Sequence, residues 1–560
     1  MKAQFFKKFY HSSFSIFVLA FFWALVGGLL LQFVVLPALP SVWHVGDGLL
    51  QGGDWVGFHR KAVMIALQIT QDGWGVWELR PGGNAPTGIL AGLYFVFGIY
   101  KPWLFLPINA FLFGAATFTL YKIFKLIMIT RHSFYAILPF MMFPSALMIY
   151  GQVHKDIFSI TGILFVIFVW ANVAGRRMLN CREMLVQAVI MFSGLALVWL
   201  VRPYIVQLLL LGGLSAALLL SVWGIWGKQA RHGSWWCMLA IFLTIQLGAL
   251  LLSLAQEIEP TTQSGQTTKQ PQQSQVIQQA QVDKVIKEGE QASKAQQEEL
   301  ASSARRASVL EEARRASLLE EARRASLLEE LLSPLNAAER ELMTTSLIPY
   351  GRGWSLAIND QMLERAFNNY LPGVINDGSI AQSSAWFALN VGLRGKLAQL
   401  NEKRRGFATS YPRAATNIDL DVRFYSIHDL LLYIPRALQI GLLAPFPSMW
   451  LGNATSPGSG TMRLVAGMEM MLSYLLLLGL VGLCRCEKKR WATITVVMTI
   501  SLILTIMFTL VITNVGSLYR MRYVSWQILN GLGILGWSLW LQRTSLLHFT
   551  LKWPAKVRQG

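Results

Sequence analysis

Ionisable side chains that interrupt otherwise apolar sequence are where chemistry would be carried in this chain. Asp54 stands in GGDWVGFHRKA, Arg80 in WELRPGGNAP, and Lys155 and Asp156 follow His154 in IYGQVHKDIFSI. Arg202 and Tyr204 stand in WLVRPYIV, Glu469 in AGMEMMLSY, and Arg520 and Arg522 in SLYRMRYVSW. A charge at membrane depth is costly and by default marks a polar site. The alternative for each is a long side chain that carries its head to the interface while its stem stays in apolar surroundings. No Gly-rich phosphate loop of Walker type, no G-x-S-x-G elbow and no H-E-x-x-H stands in the sequence, so ATP-driven transport, serine hydrolysis and zinc proteolysis lack their signatures.

These residues are set in a chain of 560 residues that is 54% hydrophobic and 14% charged. Its apolar residues fall in uninterrupted runs near the roughly 20 residues that cross a bilayer. They mark an all-α, polytopic transmembrane helix bundle. The first run, from Phe14 to about Leu39, is too long for a signal-peptide core and is expected to be retained as a span. Further runs lie near 103–121, 134–150, 157–175, 185–201, 204–224, 235–255, 464–484, 492–513 and 523–541, for about ten spans. The stretch 86–100 is shorter and is expected to dip into the membrane or lie at its interface. The net charge of +19 comes from Lys and Arg clustered between apolar runs, where they set orientation, so nucleic acid is not an expected partner. Cys181, Cys237, Cys484 and Cys486 suggest neither a disulfide framework nor a metal set.

With the amino terminus inside, the basic stretches YKIFKLIMITRH, GRRMLNCRE, GKQARH, RCEKKRW and the carboxyl tail all fall on one side, as the positive-inside bias requires. The loop 40–101, the turn at 154–156 and the stretch 256–463 then face outward. Four parts are expected: a membrane bundle over 1–255, a spacer over 256–342, an outer region over 343–463, and carboxyl-terminal spans with a tail over 464–560. The spacer begins rich in Gln, Ser, Lys and Glu, a composition that cannot bury a core. It continues as the nonapeptides ARRASVLEE, ARRASLLEE and ARRASLLEE at 304–330. Their residues favour helix, but about two and a half turns per repeat turns successive Leu pairs to opposite faces and gives no coiled-coil seam. The segment 424–450 is expected to be an amphipathic helix on the membrane surface, broken by Pro435 and Pro445.

The stretch DWVGFHRKA at 54–62, the Gly/Pro segment running into APTGILAGLYFVFG at 85–98, and PSALMIYGQVHKDIF at 144–158 together resemble the C-type glycosyltransferases. These multispan enzymes use polyprenyl phosphate sugars at the outer leaflet. The resemblance covers roughly the first 225 residues. Downstream, ATNIDLDVRFYS at 415–426 and APFPSMW at 444–450 are similar to membrane proteins of bacterial polysaccharide gene clusters. Together these resemblances imply a protein of the bacterial inner membrane that acts on a polyprenyl-phosphate sugar donor and a polysaccharide or lipid-linked acceptor, in exopolysaccharide or O-antigen biosynthesis. They imply Asp54 as general base, with Asp156 assisting, orienting the acceptor or holding a divalent cation. Arg80, Lys155, Arg202, Arg520 and Arg522 would face the phosphate, with Tyr204 beside them. Asp54 has no adjacent second acid, unlike the usual pattern of the family, and the long spacer is a further departure.

Two other classes share these features. A polysaccharide polymerase or ligase would use the same lipid substrate and rely on Arg423, His428 and Arg436. A membrane carrier or assembly partner would need only a polar path.

Overall fold

Backbone polar groups cannot stay unpaired in hydrocarbon, so apolar runs of this length close their hydrogen bonds as helices. In the computed structural model the chain divides into two compact units, residues 1–259 with 392–560, and residues 260–391. The structure describes residues 13–40, 43–175, 180–226, 240–248, 347–350, 353–356, 396–409, 416–451 and 459–543. In the smaller unit the described residues form one antiparallel hairpin, β1 (Leu347–Tyr350) with β2 (Gly353–Leu356), Leu347 facing Leu356 in register. The nonapeptides at 304–330, the Gln-rich stretch before them and most of the expected span 235–255 lie outside the described residues.

The larger unit is helical. In chain order its principal helices are α1 (Ser13–Leu30), α2 (Asp54–Asp72), α3 (Ala85–Phe97), α4 (Leu106–Ile127), α5 (Thr130–Met142), α6 (Pro144–Gly151) and α7 (Asp156–Gly175). Then come α8 (Cys181–Val201), α9 (Pro203–Trp226), α10 (Ile427–Leu443), α11 (Ser459–Leu478), α12 (Trp491–Val511), α13 (Val515–Met521) and α14 (Tyr523–Arg543). Seven helical stretches among the described residues are long and apolar enough to cross a membrane: Phe14–Ala38, Pro102–Ile127, Asp156–Gly175, Cys181–Val201, Pro203–Val222, Gly460–Arg485 and Lys488–Val511. The chain is therefore a multi-pass membrane protein.

The run at 134–150 is not a straight span. It is the pair α5 and α6, bent by 67°. Phe143 precedes Pro144 and is extended (φ −62°, ψ 134°), as a residue before proline prefers. The run at 523–541 is α14, 21 residues long but carrying Gln527 and Asn530, and it is not among the seven. The short run near 86–100 forms α3. Pro435 does not break α10, which Ser426 caps by accepting from the Asp429 N–H, and which runs on to Leu443. Residues 392–560 belong to the same compact unit as residues 1–259. There Arg404, fully buried, donates to the carbonyls of Leu510 at 3.1 Å and Asp419 at 2.8 Å, tying residues 396–409 and Asp419 to the end of α12.

The centre of the bundle is α7, the most enclosed of the seven spans with 83% of it buried. It packs against α4, α8 and α12. Helices in hydrocarbon associate through close backbone approach at small residues. The α7–α8 crossing is made at Gly162 and Gly194, where a Cβ on either glycine would collide with the carbonyl oxygen of the other. Gly162→Val should therefore lower stability by about 1–3 kcal/mol or more through overpacking. A fall in the thermal unfolding midpoint of purified protein in detergent would show it, and an unchanged midpoint would contradict the crossing.

Candidate functional site

The helix ends sort into two groups. At one end Arg490 donates to the Ile127 carbonyl, and the Gln542 amide lies 2.8 Å from His132. At the other end lie the start of α2, the α6–α7 turn, the α8–α9 turn and α13, and there the polar residues converge on a cavity of about 610 Å³.

Each wall has a local cause. Asp54 opens α2 after Gly53, whose backbone is extended (φ −109°, ψ 163°), and a carboxylate is favoured at the positive end of a helix. Gly57, Phe58 and Lys61 line the cavity with it, at the i, i+3, i+4, i+7 spacing that gives one helix face. Arg202 is held between α8 and α9 because Pro203 starts the next helix and disfavours helical backbone at the residue before it. Its backbone (φ −150°, ψ 74°) is accordingly non-helical. Asn514 caps α13 by accepting from the Ser517 N–H at 3.0 Å, which presents Ser517 and Arg520 to the cavity. Asn84 and Thr87 at the start of α3 complete the polar lining, with Tyr204, Phe407 and Met521.

Four cations (Lys61, Lys155, Arg202, Arg520) and one carboxylate (Asp54) line this space. Asp54 Oδ2 lies 3.4 Å from Arg520, with the two side chains 40% and 34% exposed. At that exposure the pair is weakly held. Behind the wall, Arg202 pairs with Asp156, both almost wholly enclosed. Burial is the largest influence on Arg202 and opposes its charge, but the Asp156 carboxylate, Tyr204 and Asp54 together outweigh it and raise the guanidinium pKa. Tyr204, on the next helix, lies close enough to Arg202 to interact with its charge. Lys155 sits 5.6 Å above the Phe58 ring, and its pKa is lowered by burial and then by Arg202.

His154, 2% exposed, accepts the Asp156 backbone N–H on Nδ1 at 3.1 Å. That bond requires an unprotonated Nδ1. Burial lowers the His154 pKa, with the Asp156 carboxylate pulling the other way. The 3.2 Å approach of Nδ1 to Asp156 Oδ2 is thus the contact of a neutral ring, not an ion pair.

Of the residues singled out by sequence, Asp54, Lys155, Arg202, Tyr204 and Arg520 line the cavity, and Asp156 stands directly behind Arg202. Arg80 is not among the lining residues and lies over the Trp199 ring at 4.5 Å. His428 is exposed on α10, and Arg436 pairs with Asp419 at 3.0 Å. Arg423 donates to the Leu420 carbonyl beside it at 2.9 Å. Arg522 is fully buried and donates to the carbonyls of Ile440, Gly441 and Ala444 at the end of α10, where the last carbonyls run out of helical partners although Ile440 still accepts the Ala444 N–H. Its position is that of a structural tie. Glu469 accepts from the Ser145 N–H at 2.6 Å and from the Tyr519 hydroxyl, joining α11 to α6 and α13. Lys61, Asn84, Thr87 and Ser517 were not singled out, although Lys61 is visible as the seventh residue beyond Asp54 on one helical stripe. Among the described residues no three His, Cys, Asp or Glu side chains converge as a metal-ligand set.

Fold and site together describe a multi-pass helical membrane protein with a cation-lined cavity at one end of its bundle. No protein-family model, curated protein or solved structure matches the chain.

Removing one member of a buried ion pair strands the other, at a cost of about 3–5 kcal/mol. Arg202→Leu and Asp156→Leu alone should each destabilise by that order, and the double variant by much less than the sum. Unfolding in detergent measures all three, and additive losses would mean the pair is uncoupled.

The depressed His154 pKa also fixes a direction with pH. As pH falls below about 6.5, the unfolded chain takes up this proton before the native chain does, so the stability present above that pH is lost below it. His154→Asn should flatten this part of the profile, leaving the share of His59, whose pKa burial also lowers. An unchanged slope would show that His154 is not held neutral.

Proposed function

We propose that this protein is an enzyme of the bacterial inner membrane that transfers a sugar from a polyprenyl phosphate carrier to a polysaccharide or lipid-linked acceptor. The observation that carries this is the cavity, where four cations and one carboxylate meet at the end of a hydrophobic bundle. A lipid-linked donor places its anionic group at that depth, and cations there neutralise the charge that develops as the glycosidic bond breaks. Lys155, Arg202 and Arg520 take this role, with Lys61 beside them. The bond between the anomeric carbon and the phosphate oxygen breaks, and the oxygen keeps the electron pair. The acceptor hydroxyl oxygen bonds to the anomeric carbon and gives its proton to Asp54, which Arg520 orients.

In this proposal the chain makes about ten spans, and the cavity faces away from the cytoplasm. Orientation is supported by the basic residues Lys125, Arg131, Lys488, Lys489 and Arg490 near the opposite helix ends, since cytoplasmic ends carry the excess of Lys and Arg. A polymerase or ligase relying on His428 and Arg436 is less well supported, because neither residue lines the cavity.

Purified protein in liposomes should consume a polyprenyl phosphate sugar. Asp54→Asn should lower transfer by about 10²–10⁴-fold, the range of a general base, and Lys155→Ala by about 10²-fold or more. Full transfer by both variants, or no consumption of any lipid-linked sugar by the wild type, would overturn the assignment.

A further inference from the structure

A second hollow, of about 480 Å³, is cut into the bundle between α4, α7 and α8. Phe111, Phe165, Phe192, Ala196, Trp199 and Leu200 form most of its wall. All three helices belong to candidate spans, and Phe111, Phe192 and Ala196 are exposed, so the groove opens toward hydrocarbon. From Phe192 to Leu200 it follows α8 for about 12 Å at the helical rise. That is close to the hydrocarbon depth of one leaflet, roughly 15 Å.

At its Leu200 end the groove changes character. The Arg80 guanidinium stacks on Trp199 at 4.5 Å from the ring centroid. No carboxylate pairs with Arg80 among the described residues, and its Nε is buried without a hydrogen-bond partner. An indole backing an unpaired cation is the combination found at headgroup level. The groove shares no lining residue with the cation-lined cavity, and Arg80 does not line that cavity.

We propose that this groove is a binding site for an anionic phospholipid, one hydrocarbon chain lying along α8 and the phosphate meeting Arg80. The site is separate from the cavity and stands whether or not the protein transfers sugars. Its recognition is two-part: shape selects a chain, and the single unpaired cation selects net negative charge in the headgroup.

The full-length protein in phosphatidylcholine nanodiscs would be photolabelled with trace phosphatidylglycerol or trace phosphatidylcholine, each carrying a diazirine in its tail, and the labelled peptides mapped. Phosphatidylglycerol should label residues 181–201 about fivefold more than phosphatidylcholine, the preference expected from one Arg near an anionic headgroup. Arg80→Gln should bring the two probes level, and Arg80→Lys should keep the preference. Ala196→Phe, which fills the groove from its exposed side, should remove the label from α8 while labelling of exposed Phe22 on α1 stays constant. Equal labelling of the wild type by both probes would reduce the groove to ordinary boundary lipid and overturn the proposal. So would label that survives Ala196→Phe. Displacement of the label by a polyprenyl phosphate but not by unlabelled phosphatidylglycerol would also overturn it, giving the groove to the donor's tail instead.

Discussion

Two opposite charges taken out of water each lose several kcal/mol of solvation, and only close pairing with good geometry offsets the loss. Asp156 and Arg202 bear this cost at the point where α7, α8 and α9 meet. Their positions reduce it. Asp156 begins α7, where the helix dipole favours an anion, and Arg202 follows the last residue of α8, where it favours a cation. Because α7 is the most enclosed span, fixing its first residue fixes the height at which the neighbouring helices end. The cavity then forms around a floor that cannot shift without separating the pair. Arg520 and Asp54, both partly exposed, form the adjustable side of the same space.

Much of this arrangement can be read from local sequence. Run length identifies the spans because hydrocarbon demands a closed helix. The Arg-Pro step at 202–203 predicts a break with the arginine in it. Asp54 and Lys61 share a face by spacing alone. The separate fates of Arg520 and Arg522 were not legible from composition, since both look like cations at a helix end. Residues two apart along a helix differ by about 200° in direction, and which direction meets the cavity depends on packing from distant segments. One arginine therefore meets Asp54, while the other is drawn into the carbonyls that end α10.

Other features that local sequence does not show have the same origin in long-range partners. Arg436 stands on an amphipathic helix, and Asp419, held at φ 51°, pairs with it from a loop. The apolar run 134–150 has the composition of a span, and its bend of 67° follows from Pro144, which enforces an extended residue within it. Glu469 then stabilises the restarted helix from a segment 324 residues away.

That separation has a consequence for how the protein is made. Asp156 and Arg202 are 46 residues apart, whereas Asp54 and Arg520 are separated by 466. At about 5–20 residues per second, the first pair can close within seconds of synthesis, while Asp54 waits roughly half a minute to a minute and a half for its partner. During that interval the amino-terminal helices already hold their buried pair, yet the cavity lacks the wall made by α13. The ribosome thus supplies a foundation early and a functional enclosure only near the end of translation. A nascent chain released before α13 emerges would be inserted and partly packed, with its cationic wall open to the surroundings.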